Sequence, residues 1–117
     1  MKKYLQLAEN EKQLNKLKIE IRYNLGGTSW ATYRPEPRGY YLHVTPIKRE
    51  ERGGMIYESF GAFTGAKCFL LEVSRKSASA EAKAEAIAEA EAPAVIDYVL
   101  RENGLHLAEA AEEGAAV

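Results

Sequence analysis

His43 and Cys68 are the two side chains best suited to act as base and nucleophile, and a Cys-His pair is one route to covalent chemistry. The chain offers nothing to orient such a pair. Its other histidine, His106, lies near the C-terminus, and the carboxylates are scattered. The segment "GAFTGAK" has two glycines and a lysine, but a P-loop needs four residues between its glycines and a lysine directly after the second. One cysteine and no close cluster of His, Asp or Glu give no metal set. The residues therefore predict a protein that is not an enzyme, without catalytic residues, metal or cofactor.

Binding chemistry is better represented. The stretch "TSWATYRPEPRGYYLHV" carries the only tryptophan, three tyrosines and two arginines around a Pro-Glu-Pro. Aromatic faces stack on bases and arginines contact phosphates, so this mix suits nucleic acid. The same types are enriched at protein-protein hot spots. The candidate binding residues are Arg22, Trp30, Tyr33, Arg34, Arg38, Tyr41 and His43.

These residues need a scaffold, and hydrophobic periodicity predicts one. Residues 2–17 place Tyr4, Leu7, Ala8, Leu14 and Leu17 at helical steps, which predicts a short N-terminal helix. A competing start lies at Asn10, whose spacing to Gln13 matches a capping box and would leave the first residues extended. In "KIEIRYNL" Ile19, Ile21, Tyr23 and Leu25 alternate with polar residues, the pattern of a half-buried strand. Pro35 and Pro37 make "RPEPRG" an extended, solvent-facing connector. A second strand, "YYLHVTPI", sends Tyr40, Leu42 and Val44 to one face and Tyr41, His43 and Thr45 to the other. Pro46 suggests that this strand ends or lies at an edge. "KREERGG" reads as a charged hairpin loop, "MIYESFGAF" as a third strand and "AKCFLLEVS" as a fourth.

From Ser77, a good N-cap, the Ala-, Glu- and Lys-rich sequence predicts a long helix with Ala80, Ala84, Ile87, Ala88, Val95 and Val99 on one stripe. Pro93 predicts a kink or a new start, and Asn103-Gly104 a stop. Ile96 and Leu100 fall off the stripe and need other cover. The fold class is α+β: a two-layer sandwich of a four-stranded antiparallel meander, a long C-terminal helix on one face and a short N-terminal helix. Residues 1–105 make one domain, and 106–117 an acidic, alanine-rich, frayed tail.

Residues 1–76 hold 14 Lys/Arg against 8 Asp/Glu, and residues 77–117 hold 2 against 9, so a basic sheet region faces an acidic helix. No apolar run approaches the roughly 20 residues of a membrane span. "MKKYLQLAENEK" lacks the apolar core of a signal peptide. With a lone cysteine, the expected setting is cytoplasmic.

The order helix-strands-helix is similar in layout to a double-stranded-RNA-binding domain. Only Lys83 stands where that family clusters lysines, so no residue is carried over. "NLGGTSWAT", "PRGYYLHVTP" and "ESFGAFTGAKCFLLEV" resemble small uncharacterised proteins of gut Firmicutes mobile elements, over roughly residues 9–105. The resemblance implies a setting and no mechanism. The functional expectation is a binding domain for a protein partner or for itself, as a homodimer. It would act through a partly bare, apolar outer sheet face and the Trp30–Arg38 connector. The alternative is RNA or single-stranded DNA on the basic sheet region.

Overall fold

The computed structural model describes residues 1–28, 33–60 and 65–108. It is an α+β fold in which one antiparallel sheet carries one long helix on its inner face. The main strands are β1 (Lys2–Gln6), β2 (Lys16–Asn24), β5 (Gly39–Arg52), β6 (Met55–Phe60) and β7 (Ala66–Glu72). Between them, β3 (Gly27–Thr28) and β4 (Pro35–Glu36) form a separate two-residue ladder. The helix α1 spans Ala78–Asn103.

The expected N-terminal helix is a strand instead. β1 pairs with β2 from Lys2↔Glu20 to Gln6↔Lys16, so a long-range ladder satisfies its backbone. Tyr4 and Gln6 then face outward, while Leu5 packs against the core. Asn10 and Gln13 do form a local pair, but it closes a turn rather than capping a helix. Gln13 N donates to Asn10 O at 3.1 Å, and Asn10 Oδ1 accepts from Leu14 N at 3.2 Å. Of the two readings of this segment, the extended start is the one the chain adopts.

The meander is also larger than expected. β5 runs on past Pro46 to Arg52, so "KREER" is strand and only Gly53-Gly54 turns. Both glycines have positive φ (59° and 78°), the geometry of a two-residue type I′ hairpin. β6 and β7 do not pair with each other. Both lie along the same edge of β5, β6 against Ile47–Arg52 and β7 against Gly39–Val44. Pro46 falls between these two ladders, where no partner strand would need its missing N–H.

Side-chain alternation along β7 breaks at a bulge opposite Tyr40/Tyr41. The extra residue lets both Leu70 and Leu71 pack toward the core, while Phe69 turns outward.

The core lies between the inner sheet face and α1. Leu17, Ile19, Leu42 and Val44 are fully buried there against Ala84 and Ala88. Ala80, Ala84, Ala88 and Ala92 recur every four residues, which presents a smooth stripe and lets the helix approach the sheet closely. Ser77 caps α1, its Oγ accepting from Ala80 N at 3.1 Å. The helix runs unbroken through Pro93 rather than restarting. It stops at Gly104 (φ 64°), where Leu105 N donates to Leu100 O at 2.8 Å and Leu105 is buried. Ile96 and Leu100 pack at the rim of this same core. No second helix is present among the described residues.

After the helix, the chain returns to the sheet. Ala8 N donates to His106 O at 2.8 Å, and Ala108 N to Gln6 O at 2.9 Å, so residues 106–108 lie along the end of β1. Residues 109–117 fall outside the described residues. No helix of the described chain is long and apolar enough to cross a membrane.

Gly39 lets β5 pass close to β7. A Cβ at this position would sit 2.0 Å from Leu71 O, a backbone atom that cannot swing aside. Gly39→Ala is expected to destabilise the protein by about 1–3 kcal/mol. Urea unfolding of the variant against wild type measures this, and an unchanged midpoint would show that the strands separate freely there.

Candidate functional site

The outer sheet face was expected to be partly bare and greasy. Its centre is polar and curled over on itself, while Ile56, Phe60 and Phe69 on the same face stay about half exposed. Glu58 of β6 sits at its centre, where its Oε2 accepts from Tyr4 of β1 at 2.7 Å and its Oε1 accepts from Lys18 of β2 at 2.8 Å. Arg49 Nε lies 3.5 Å from the same carboxylate, and its guanidinium stacks 4.6 Å over the Tyr4 ring. β1 and β6 are separated by β2 and β5, so in a flat sheet they would stand about 14 Å apart, three spacings of about 4.8 Å. Direct contact between Tyr4 and Glu58 requires the sheet to curl until its outer face is concave. Curling explains two residues on that face: Ile47 is fully buried, and Lys18 retains only 7% of its accessible surface.

Hydrogen bonds from Lys18 and then Tyr4 hold the Glu58 carboxyl below its usual range. The same contact with Glu58 raises the Tyr4 phenol. Neither Tyr4 nor Lys18 had a sequence signal for this role. Tyr4 fits a helical stripe equally well, and Lys18 reads as an ordinary outward strand position.

The expected binding residues divide into three places. Arg22, Tyr41 and His43 share the outer face, with Arg22 directly opposite Tyr41. Arg22 is engaged by Glu20. Tyr41 is only 3% exposed; its OH donates to Pro37 O at 2.7 Å, and Phe69 packs edge-to-face on its ring at 5.3 Å. Burial raises the Tyr41 phenol above its ordinary value. Arg38 lies on the connector and acts as a strut, its Nε donating to Leu25 O at 3.0 Å and its Nη1 to Ser74 O at 3.4 Å. Tyr33 and Arg34 are exposed on the connector, Tyr33 with a left-handed φ of 56°. Trp30 lies outside the described residues.

Several cations of this region already have carboxylate partners. Lys67 contacts Glu36 Oε2 at 2.6 Å, Lys48 contacts Glu50 at 2.9 Å, and Arg52 reaches Glu50 at 3.5 Å. A phosphate backbone would have to displace these pairs to gain the counterion release that drives nucleic-acid binding.

His43 and Cys68 lie on opposite faces and cannot pair. Cys68 stands across from inward-facing Leu42, and burial raises its thiol pKa. His43 Nε2 is buried without a hydrogen-bond partner. Burial, helped by the nearby Arg22 and Lys67 cations, lowers the imidazole to about 4, while Glu20 and Glu36 pull weakly the other way. An open cleft of about 670 Å³ lies between the end of β2 and the start of α1. Arg22 and Lys76 line it together with Glu81, so its walls carry both signs.

A different surface stands out for its exposure. Beyond Pro46, β5 and β6 form a hairpin arm that α1 does not cover. On β6, Met55 is 61% exposed, Ile56 56%, Tyr57 42% and Phe60 54%. Phe69 adds a neighbouring apolar patch at the outer face. The sequence placed Ile56 or Phe60 on a face that one long helix cannot cover, and both are exposed; the exposure of Met55 and Tyr57 on the other face was not expected, because nothing local marks where the helix ends its cover.

Two measurements check these assignments. Glu58→Gln leaves Lys18 with only Glu20, 3.9 Å away, as a counter-charge and should cost about 1–2 kcal/mol. That is less than the roughly 3–5 kcal/mol of a fully buried pair, because the Glu58 side chain keeps 19% of its surface in water. Adding Lys18→Met should recover part of the loss, read as a coupling in a double-mutant cycle. The second measurement concerns pH. An unfolded histidine takes up its proton near 6.5, whereas native His43 does so only near 4. Its contribution is therefore full above about pH 6.5 and declines as pH falls toward 4. The urea midpoint should drop over that window, and His43→Phe should flatten the slope.

No family model, curated protein or solved structure matches this chain.

Proposed function

We propose that the chain is a non-enzymatic protein-binding domain and that its contact surface is the β5–β6 arm. One observation carries this reading: four of the six residues of β6 are large apolar side chains about half exposed on a single projecting element. Scattered surface hydrophobics need no explanation, but four gathered on one strand, two on each face of the arm, mark an element that meets a partner. The arm is also held in place before any partner arrives, because Glu58 ties it to β1 and β2. A preorganised surface loses less conformational freedom on binding.

Nucleic acid on the basic sheet region is the rival reading. It has less support, since Lys18, Arg22, Lys48 and Lys67 there are matched by Glu58, Glu20, Glu50 and Glu36.

Site-specific photo-crosslinking tests the proposal. Ile56→p-benzoylphenylalanine in the living cell should give discrete protein adducts. Tyr98→p-benzoylphenylalanine, equally exposed but on the outer side of α1, should not. Equal or absent adducts at the two positions would overturn the reading.

A further inference from the structure

Resting on the arm as the contact surface, we infer that its occupant is the same strand of a second copy. The two β6 edges join antiparallel about a two-fold axis and make one continuous sheet. The backbone supplies the first argument. Asn15 N donates to Ile47 O at 3.0 Å, and the Asn15 side chain binds both Arg49 N (2.8 Å) and Arg49 O (2.9 Å). The polar groups of Ile47 and Arg49 therefore point toward β2. Opposite them on β6 stand Phe60 and Glu58, which are non-hydrogen-bonded partners in this ladder, and Ile56 follows by alternation. The N–H and C=O groups of Ile56, Glu58 and Phe60 thus point out of the sheet. No strand among the described residues pairs with that edge. The opposite border of the sheet differs, since residues 106–108 lie along the end of β1.

Side-chain placement supplies the second argument. Ile56 and Phe60 lie on the outer face of the arm, and Met55 and Tyr57 on the other. A partner resting on one face would leave the other pair in water. A strand added at the edge places neighbours beside both pairs at once. Natural edge strands are commonly protected by charged residues, proline or a bulge; β6 has neither Lys nor Pro, and its one charge, Glu58, is turned into the concave face and engaged by Tyr4 and Lys18. A two-fold axis needs a patch that complements itself, and an antiparallel strand edge does so.

The area sets the strength. An aromatic side chain presents about 150–250 Å², so four half-exposed side chains offer on the order of 400 Å² per copy and 800 Å² per pair before backbone is added. Stable interfaces bury about 1,200–2,000 Å² in all. The dimer is accordingly weak, forming at micromolar concentrations or above.

Sedimentation of the purified chain from micromolar to millimolar concentration tests this. The mass should rise from 13.0 kDa toward twice that value. Amide exchange at Ile56, Glu58 and Phe60 should slow as the mass rises. Ile56→Pro removes an outward N–H without touching the hairpin ladder and should stay monomeric. If circular dichroism shows that variant unfolded, Ile56→Lys, which keeps every backbone group, should be monomeric instead. A wild-type monomer throughout, or a folded edge variant that associates like wild type, overturns the second copy as occupant. A monomer that still yields adducts to another protein at position 56 overturns this inference alone. Absence of any adduct overturns the contact surface as well.

Discussion

One carboxylate sets the shape of this protein. Glu58 accepts from the first strand through Tyr4 and from the second through Lys18, although it belongs to the sixth. A sheet satisfying both contacts must curl, and the curl turns an outer face into a pocket for an aliphatic side chain and an ammonium group. Burying charge is costly, and such a pair contributes little net stability over an apolar substitute. What it supplies here is geometry. It fixes the angle at which the β5–β6 arm leaves the body, and so decides which side chains remain in water.

The inner face solves a different problem. A single helix has to cover strands of unequal length, and its alanine stripe does so by bringing the backbone near the sheet rather than by reaching with long side chains. Cover ends where the helix ends. The strands nearest α1 bury Leu42, Val44 and Leu70, while β6 lies beyond its reach. The exposed apolar residues therefore follow from helix length and strand length taken together, not from any peculiarity in their own sequence.

This explains which parts of the chain were legible. The alternation in "KIEIRYNL", the cap at Ser77 and the stop at Gly104 are local signals, and each became the expected element. The helix expected at residues 2–17 was not, because Tyr4, Leu7 and Leu14 suit a helical stripe, whereas the ladder with β2 depends on residues far along the chain. "KREER" looked like a loop because strand extension was decided by pairing with β6 rather than by propensity. The bulge beside Leu70 broke a clean alternation for the same reason. Of the expected binding residues, Tyr41 and Arg38 were chosen for their chemistry and turned out to be engaged by backbone carbonyls. Tyr4, Lys18 and Glu58 escaped notice because curvature is a property of the whole sheet.

Pro46 marks a seam. On one border of β5 the neighbour changes there from β7 to β6, and among the described residues no strand pairs with that border between Val44 and Ile47. The hairpin past the seam rests on its own rungs, on the Asn15 clasp and on Glu58. Such an element can come undone without disturbing the helix-covered body, as a separate unit of cooperativity with a lower opening free energy. Protonating a single acid would loosen it first, giving the molecule a soft end and a hard end.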